Sequence, residues 1–322
     1  MKKKIAIILG ILLIVFCIID LVGANYLVTY AIARKDGVHS EVAPDSITAD
    51  EAQQIIDQNV KLLYEEVDAW KDTVTTTTMH ITSDDGLLLE ADYYDSPEAT
   101  GHKYAIVVHG YSSNRGSMLP YGMTYSNAGY QVLMPDLRAH GNSEGDYIGM
   151  GWLDKADIVK WIDTIIEMDP EAQIILHGVS MGGATVLMTS GEDLPDNVKA
   201  IVDDCGYTSV WDIFSDEVVY LFHVPTFPVL NTASMIAKIR AGYSFTEASA
   251  IEQVKKTSLP IFFSHGSEDN FVHTDMVYEL YDACPTDKEL YVVEGAGHGQ
   301  AMYLDPETYF SRIFTFLSAY VK

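Results

Sequence analysis

Apolar residues run from Ile5 to Ile19, stop at Asp20 and resume from Leu21 to Ala33. The first run has the length of a signal-peptide core, roughly 7–15 residues. The two together exceed the roughly 20 residues that cross a bilayer. Lys2, Lys3 and Lys4 precede the runs, against Arg34 and Lys35 on the far flank. That bias predicts a cytoplasmic N-terminus and a body outside the cell. We read residues 1–35 as a signal-anchor that holds the protein to the cell membrane through this helix. Two alternatives stay open: secretion after cleavage at Val22-Gly23-Ala24, and a buried core helix. No lipobox precedes Cys17.

The pattern then becomes polar and acidic over residues 36–73, with Ile56, Val60, Leu63 and Val67 at helical spacing. A juxtamembrane linker and a helix packed on the body are expected here. From residue 74 the signals are those of strands. The β-branched run Val74–Ile81 and the stretch Leu87–Tyr94 flank the turn Asp84-Asp85-Gly86, which predicts a hairpin. Short apolar strands follow at Tyr104–Val108, Tyr130–Met134, Gln173–Leu176, Ala200–Val202, Ile261–Ser264 and Leu290–Val293. Helical stretches lie between them, notably Gly151–Met168, Met181–Ser190 and Thr274–Ala283, and Pro306–Ala319 closes the chain. Such alternation predicts an α/β domain over residues 74–322, with a mostly parallel sheet and helices on both faces. Residues 207–258 exceed one crossover, are rich in Phe, Tyr, Val and Met, and are expected to form a small helical cap over the strand ends.

Composition narrows the function classes. The chain of 322 residues carries a net charge of −26. Residues 1–35 contribute five basic groups and Asp20, or +4, so the rest carries −26 − 4 = −30. A body this acidic lacks the basic face that binds nucleic-acid phosphates, and it should not dock on anionic lipid by charge. Cys17, Cys205 and Cys284 are too few and scattered for a disulfide framework or a zinc site, and free thiols are expected. No H-x-x-x-H or H-E-x-x-H spacing occurs, so a metal site is not expected; the chemistry of the motif that follows calls for no cofactor.

The chemistry concentrates in His177-Gly178-Val179-Ser180-Met181-Gly182-Gly183, a G-x-S-x-G placed after an apolar strand and before a helical stretch. A serine on such a strand-to-helix turn projects its hydroxyl above the sheet, and the glycines remove Cβ atoms that would clash. The pattern is common by composition alone; its context gives it weight.

Around it the chain resembles the α/β-hydrolase superfamily, and within it bacterial serine hydrolases of the lysophospholipase-like and serine-aminopeptidase-like groups. The resemblance runs from about Thr75 to the C-terminus. It rests on His109-Gly110-Tyr111, the loop Asp136-Leu137-Arg138-Ala139-His140-Gly141-Asn142-Ser143, the Ser180 elbow, and the end motifs His265-Gly266…Asp269 and Gly297-His298-Gly299. It implies a Ser–acid–His triad in chain order. Ser180 would be the nucleophile, Asp269 the acid and His298 the base. Glu268 is a rival acid, as are Asp203 and Asp204 at another strand end. The resemblance also implies an oxyanion hole from the backbone N–H groups of Tyr111 and Met181. It implies that His109, His140 and His265 hold loop backbones, and that Asp136 and Arg138 brace theirs.

The expected activity is hydrolysis of a carboxylic ester or related acyl compound through an acyl-enzyme, with a small-molecule acyl substrate. Aromatic and apolar cap residues, among them Trp211, Phe214, Tyr220, Phe222 and Phe227, suit an apolar pocket or simply pack the cap. Peptidase activity, with Asp212, Asp216 or Glu217 holding a substrate amine, is the first alternative. A catalytically idle binding protein of the same fold is the second.

Overall fold

A computed structural model of the chain describes residues 2–34 and 50–322. Lys35, His39 and most of the expected linker, residues 36–49, lie outside the described residues. The hairpin stands where the alternation predicts it. β1 (Thr75–Thr82) and β2 (Leu88–Asp95) pair antiparallel around the Asp84–Gly86 turn. β2 then pairs antiparallel with β4 (Gln131–Pro135). The other strands are parallel: β3 (Lys103–Val108), β5 (Gln173–Val179), β6 (Val198–Asp204), β7 (Ile261–Gly266) and β8 (Lys288–Val293). The order is β1-β2-β4-β3-β5-β6-β7-β8. The central strands are buried on both faces, so they read as continuous apolar runs rather than alternating ones.

Helices supply the two covering layers. α1 (Lys2–Ile32) and α2 (Asp50–Lys71) precede the sheet, and α3 (Leu119–Asn127), α4 (Asp154–Met168) and α5 (Met181–Thr189) follow successive strands. α3 carries no clear apolar period, because Pro120, Tyr121, Met123, Tyr125 and Ser126 bury nearly its whole surface. The segment 207–258 holds three helices, α6 (Val210–Phe222), α7 (Val229–Arg240) and α8 (Ala250–Val254). α9 (Asp275–Ala283), α10 (Ala301–Leu304) and α11 (Pro306–Leu317) complete the chain. α2 packs as its spacing predicts: Ile56, Val67 and Trp70 are buried, and the Trp70 indole donates to Ser126 Oγ at 2.9 Å.

α1 is long and apolar enough to cross a membrane. Its exposed stretch ends near Val22. Beyond that, Ala24, Leu27, Val28 and Ile32 are buried in the same core as the sheet and cap. Polar bonds fix this end. Thr232 donates to the Asp20 carboxylate at 2.6 Å, Arg240 reaches Asn25 Oδ1 and Thr29 Oγ1 at 2.9 Å each, and the Arg34 amide donates to Asp146 O at 2.8 Å. Asp20, which interrupts the apolar run, thus has a hydroxyl partner on α7.

Candidate active site

β5 delivers Ser180 to its own carboxyl end, and α5 starts at the next residue. Ser180 takes φ 57° and ψ −118°, a conformation sparsely populated by L-residues and the one a sharp strand-to-helix turn requires. Neighbouring backbone leaves no room for a Cβ on either flanking glycine. On Gly178 it would lie 2.0 Å from Gly182 O, and on Gly182 it would lie 2.1 Å from Val108 O.

The ends of β7 and β8 bring two further residues to this turn. His298 Nε2 lies 2.8 Å from Ser180 Oγ, and His298 Nδ1 lies 2.7 Å from Asp269 Oδ2. The other carboxylate oxygen of Asp269 accepts the amides of Phe271 and Val272 at 3.0 Å each. Burial pushes the Asp269 carboxyl up, but the imidazoles of His298 and His265 outweigh it and hold it well below the usual carboxylate range. The three residues therefore form one line: a buried carboxylate, an imidazole and a hydroxyl. Such an imidazole can take the hydroxyl proton while the carboxylate stabilises the resulting cation.

Comparison with known proteins bears on the fold that carries this geometry. The family model described as "alpha/beta hydrolase fold" matches residues 106–224. The uncharacterized protein YqkD of Bacillus subtilis is 27% identical over 230 residues, covering 70% of this chain and 74% of that protein. An esterase of Pyrococcus furiosus superposes with a TM-score of 0.65 at 23% identity, covering 78% of this chain and 94% of the esterase. An acylaminoacyl peptidase of Pyrococcus horikoshii does so with a TM-score of 0.60 at 17% identity, covering 78% of this chain and 42% of the peptidase.

The chain has the α/β-hydrolase fold.

Within this fold the rival acids stand elsewhere. Glu268 is exposed. Asp203 and Asp204 are fully buried beneath the elbow. Asp203 Oδ1 accepts the Gly206 amide at 3.2 Å, and the Asp204 carbonyl accepts the Ser180 amide at 2.8 Å. Asp204 Oδ2 accepts the Tyr309 hydroxyl at 2.8 Å. Tyr309 lies 3.1 Å from His177 Nε2, and His177 Nδ1 lies 3.0 Å from Tyr125 Oη. Because Tyr309 donates to Asp204, it accepts from His177, which fixes the proton on Nε2 and leaves Nδ1 to accept from Tyr125. Burial pushes His177 down to about 3, so it is neutral at physiological pH. Burial pushes Asp204 up to about 6, against the Tyr309 hydrogen bond, and Asp203 up to about 8.

The loop histidines hold backbone. His109 Nε2 accepts the Leu137 amide at 3.0 Å and Nδ1–H donates to Gly110 O at 2.8 Å, tying two loops together. His140 Nδ1–H donates to Arg138 O at 3.0 Å, and His265 Nε2–H donates to Val272 O at 2.8 Å. Arg138 pairs with Asp157 at 2.8 and 2.9 Å, and Asp136 accepts the Arg115 and Asn142 amides as well as the Arg115 guanidinium. His80 and His102 face Glu90 at 3.3 Å and Asp169 at 2.7 Å.

Met181 opens α5, where the first amides have no acceptor inside the helix. Gly110 abuts Ser180: a Cβ there would lie 3.3 Å from Ser180 Cβ. Tyr111 follows directly, and its hydroxyl donates to Ala31 O on α1 at 2.6 Å. The ligand atoms of Cys205, Asp269 and His298 lie within 4.8 Å of one another. Both His298 nitrogens already face Ser180 and Asp269, and burial raises the Cys205 thiol well above its usual range, away from the thiolate that binds metals.

Tyr111 lines two hollows. One is the cleft over Ser180, lined by Tyr111, Ser113, Phe271, His298 and Tyr303. The other is apolar and lined by Leu27, Tyr30 and Ala31 of α1 with Phe214, Leu221 and Phe245 of the cap region. Sequence reasoning missed this α1 wall, since nothing in an apolar run marks which residues will face a pocket. It also missed Phe271, whose ring packs edge-on against the His298 ring at 4.9 Å.

Proposed function

We propose that this protein is a serine hydrolase that cleaves carboxylic esters or related acyl compounds. The observation that carries the reading is the unbroken line Asp269–His298–Ser180, with heavy-atom separations of 2.7 and 2.8 Å. His298 Nε2 takes the Ser180 proton as Oγ attacks the acyl carbon. Asp269 keeps the His298 proton on Nδ1 and stabilises the imidazolium. The Tyr111 and Met181 amides receive the oxyanion. The imidazolium then protonates the leaving group, and water, activated by the same imidazole, releases the acyl group from Ser180. The apolar hollow beside Tyr111 takes the acyl chain. α1 anchors the protein in the cell membrane, with the N-terminus cytoplasmic and the hydrolase body outside.

A fluorophosphonate probe tests the nucleophile. Wild type is expected to label and Ser180→Ala to remain unlabelled; equal labelling of both removes Ser180 from the role. One observation favours a peptidase instead. The Glu217 carboxyl lines the apolar hollow with Oε2 buried and unpartnered, a position from which it could pair with a substrate amine. Turnover of aminoacyl anilides but not of p-nitrophenyl esters decides for that reading.

A further inference from the structure

The cap region carries apolar surface where it adjoins α1. Phe227 is 75% exposed, Tyr220 57%, Val219 51% and Val224 39%. All lie in the last turn of α6 and the loop to α7, over residues 219–228, a stretch with no acidic or lysine/arginine residue in a body of strongly negative charge. Val224, Pro225, Phe227 and Pro228 form one side of a groove whose other side is Phe16, Ile19, Asp20, Gly23 and Tyr26 of α1, the Asp20 carboxylate accepting the Thr232 hydroxyl. The loop therefore descends along α1 to the level of Phe16, a full turn below Asp20. From Ile5 to Val22 the helix spans about 27 Å at about 1.5 Å per residue, close to the roughly 30 Å hydrocarbon thickness. A loop reaching Phe16 lies within that span, and its exposed apolar side chains continue the apolar flank of the helix.

We propose that the loop over residues 219–228 is seated in the outer leaflet of the bilayer beside α1. This rests on reading α1 as a membrane span. Burying these apolar side chains in hydrocarbon rather than water is favourable by the ordinary hydrophobic effect, and a loop without acidic residues lets an acidic body approach a membrane that its net charge would otherwise avoid, with His223 as its one basic side chain. The groove shares Leu27 and Phe222 with the apolar hollow, and the hollow shares Tyr111 with the Ser180 cleft. The seated loop thus adjoins an apolar hollow that shares the Tyr111 wall with the Ser180 cleft.

The test uses the full chain with Cys17→Ser, because Cys205 and Cys284 are buried. Phe227→Cys, and separately Val224→Cys, is labelled with an environment-sensitive fluorophore and reconstituted into phosphatidylcholine vesicles containing doxyl-labelled lipid. Leu12→Cys reports the middle of the span and Glu171→Cys, on the exposed turn after α4, reports the body. Loss of emission at 227 and 224 comparable with that at 12, with none at 171, supports the seat. Emission at 227 and 224 as unquenched as at 171, while 12 is quenched, overturns it and leaves the anchor standing; a blue-shifted but unquenched label there means that protein covers the loop, and also overturns it. Equal quenching at 171 means the whole body adsorbs, which overturns a specific seat. An unquenched label at 12 removes the anchor reading and the proposal with it.

Discussion

Replacing Asp269 by Asn isolates what the carboxylate does for His298. The side chains are nearly isosteric, so packing is kept. The orientation of the new amide is dictated by its neighbours. Oδ1 of residue 269 accepts two backbone amides at 3.0 Å, so an NH2 group turned toward them would face two donors. The amide oxygen therefore stays there, and the NH2 group faces His298 Nδ1; His265 Nε2–H, 3.2 Å from that position, keeps its shorter bond to Val272 O at 2.8 Å. That nitrogen must then accept, which moves the imidazole proton to Nε2, opposite Ser180 Oγ. An Nε2–H cannot take the serine proton. Loss of the correct tautomer costs about 10⁴ in turnover in a triad of this kind, or about 5.4 kcal/mol of barrier. The assay is steady-state hydrolysis of a short p-nitrophenyl ester at neutral pH, with the melting temperature as a folding control. Glu268→Gln, at an exposed position, serves as the companion and should stay near wild type. Asp269→Asn retaining activity within about tenfold of wild type, at an unchanged melting temperature, refutes the tautomer argument.

Two other outcomes follow from burial. Asp203 is raised to about 8 by desolvation, so the folded state favours its protonated form. Its stabilising contribution is full below the unfolded carboxyl value near 4 and is lost as pH rises through about 8. Asp203→Asn keeps the acceptor for the Gly206 amide, so its melting temperature relative to wild type should rise steadily between pH 5 and pH 8; a constant difference contradicts the burial argument. On α1, Ile32 is fully buried in the sheet-and-cap core. Ile32→Ala should lose about 2–5 kcal/mol in detergent, read by chemical denaturation, whereas Ile8→Ala, on the exposed stretch, should change little.

The parallel strands and elbow were legible because local chemistry fixes them. Buried parallel strands must be continuous and apolar, and a serine at a left-handed turn needs glycine on both sides wherever backbone passes within about 2 Å. Asp269 and His298 were legible only through the resemblance. Spacing alone left Glu268, Asp203 and Asp204 as rivals, because all four acids sit near strand ends. α3 escaped detection because a helix buried nearly all round has no amphipathic stripe.

By itself the sequence determined the long apolar N-terminal segment, the α/β alternation and the serine turn, since each is a property of neighbouring residues. Only the tertiary structure decided which carboxylate meets His298, that His177 is neutral and holds its proton on Nε2, and that the last third of α1 walls the hollow beside Tyr111. These depend on groups brought together from distant parts of the chain, such as Asp20 with Thr232, Tyr111 with Ala31, and His298 with Ser180. Such contacts follow from strand order and crossover packing, which no local pattern encodes.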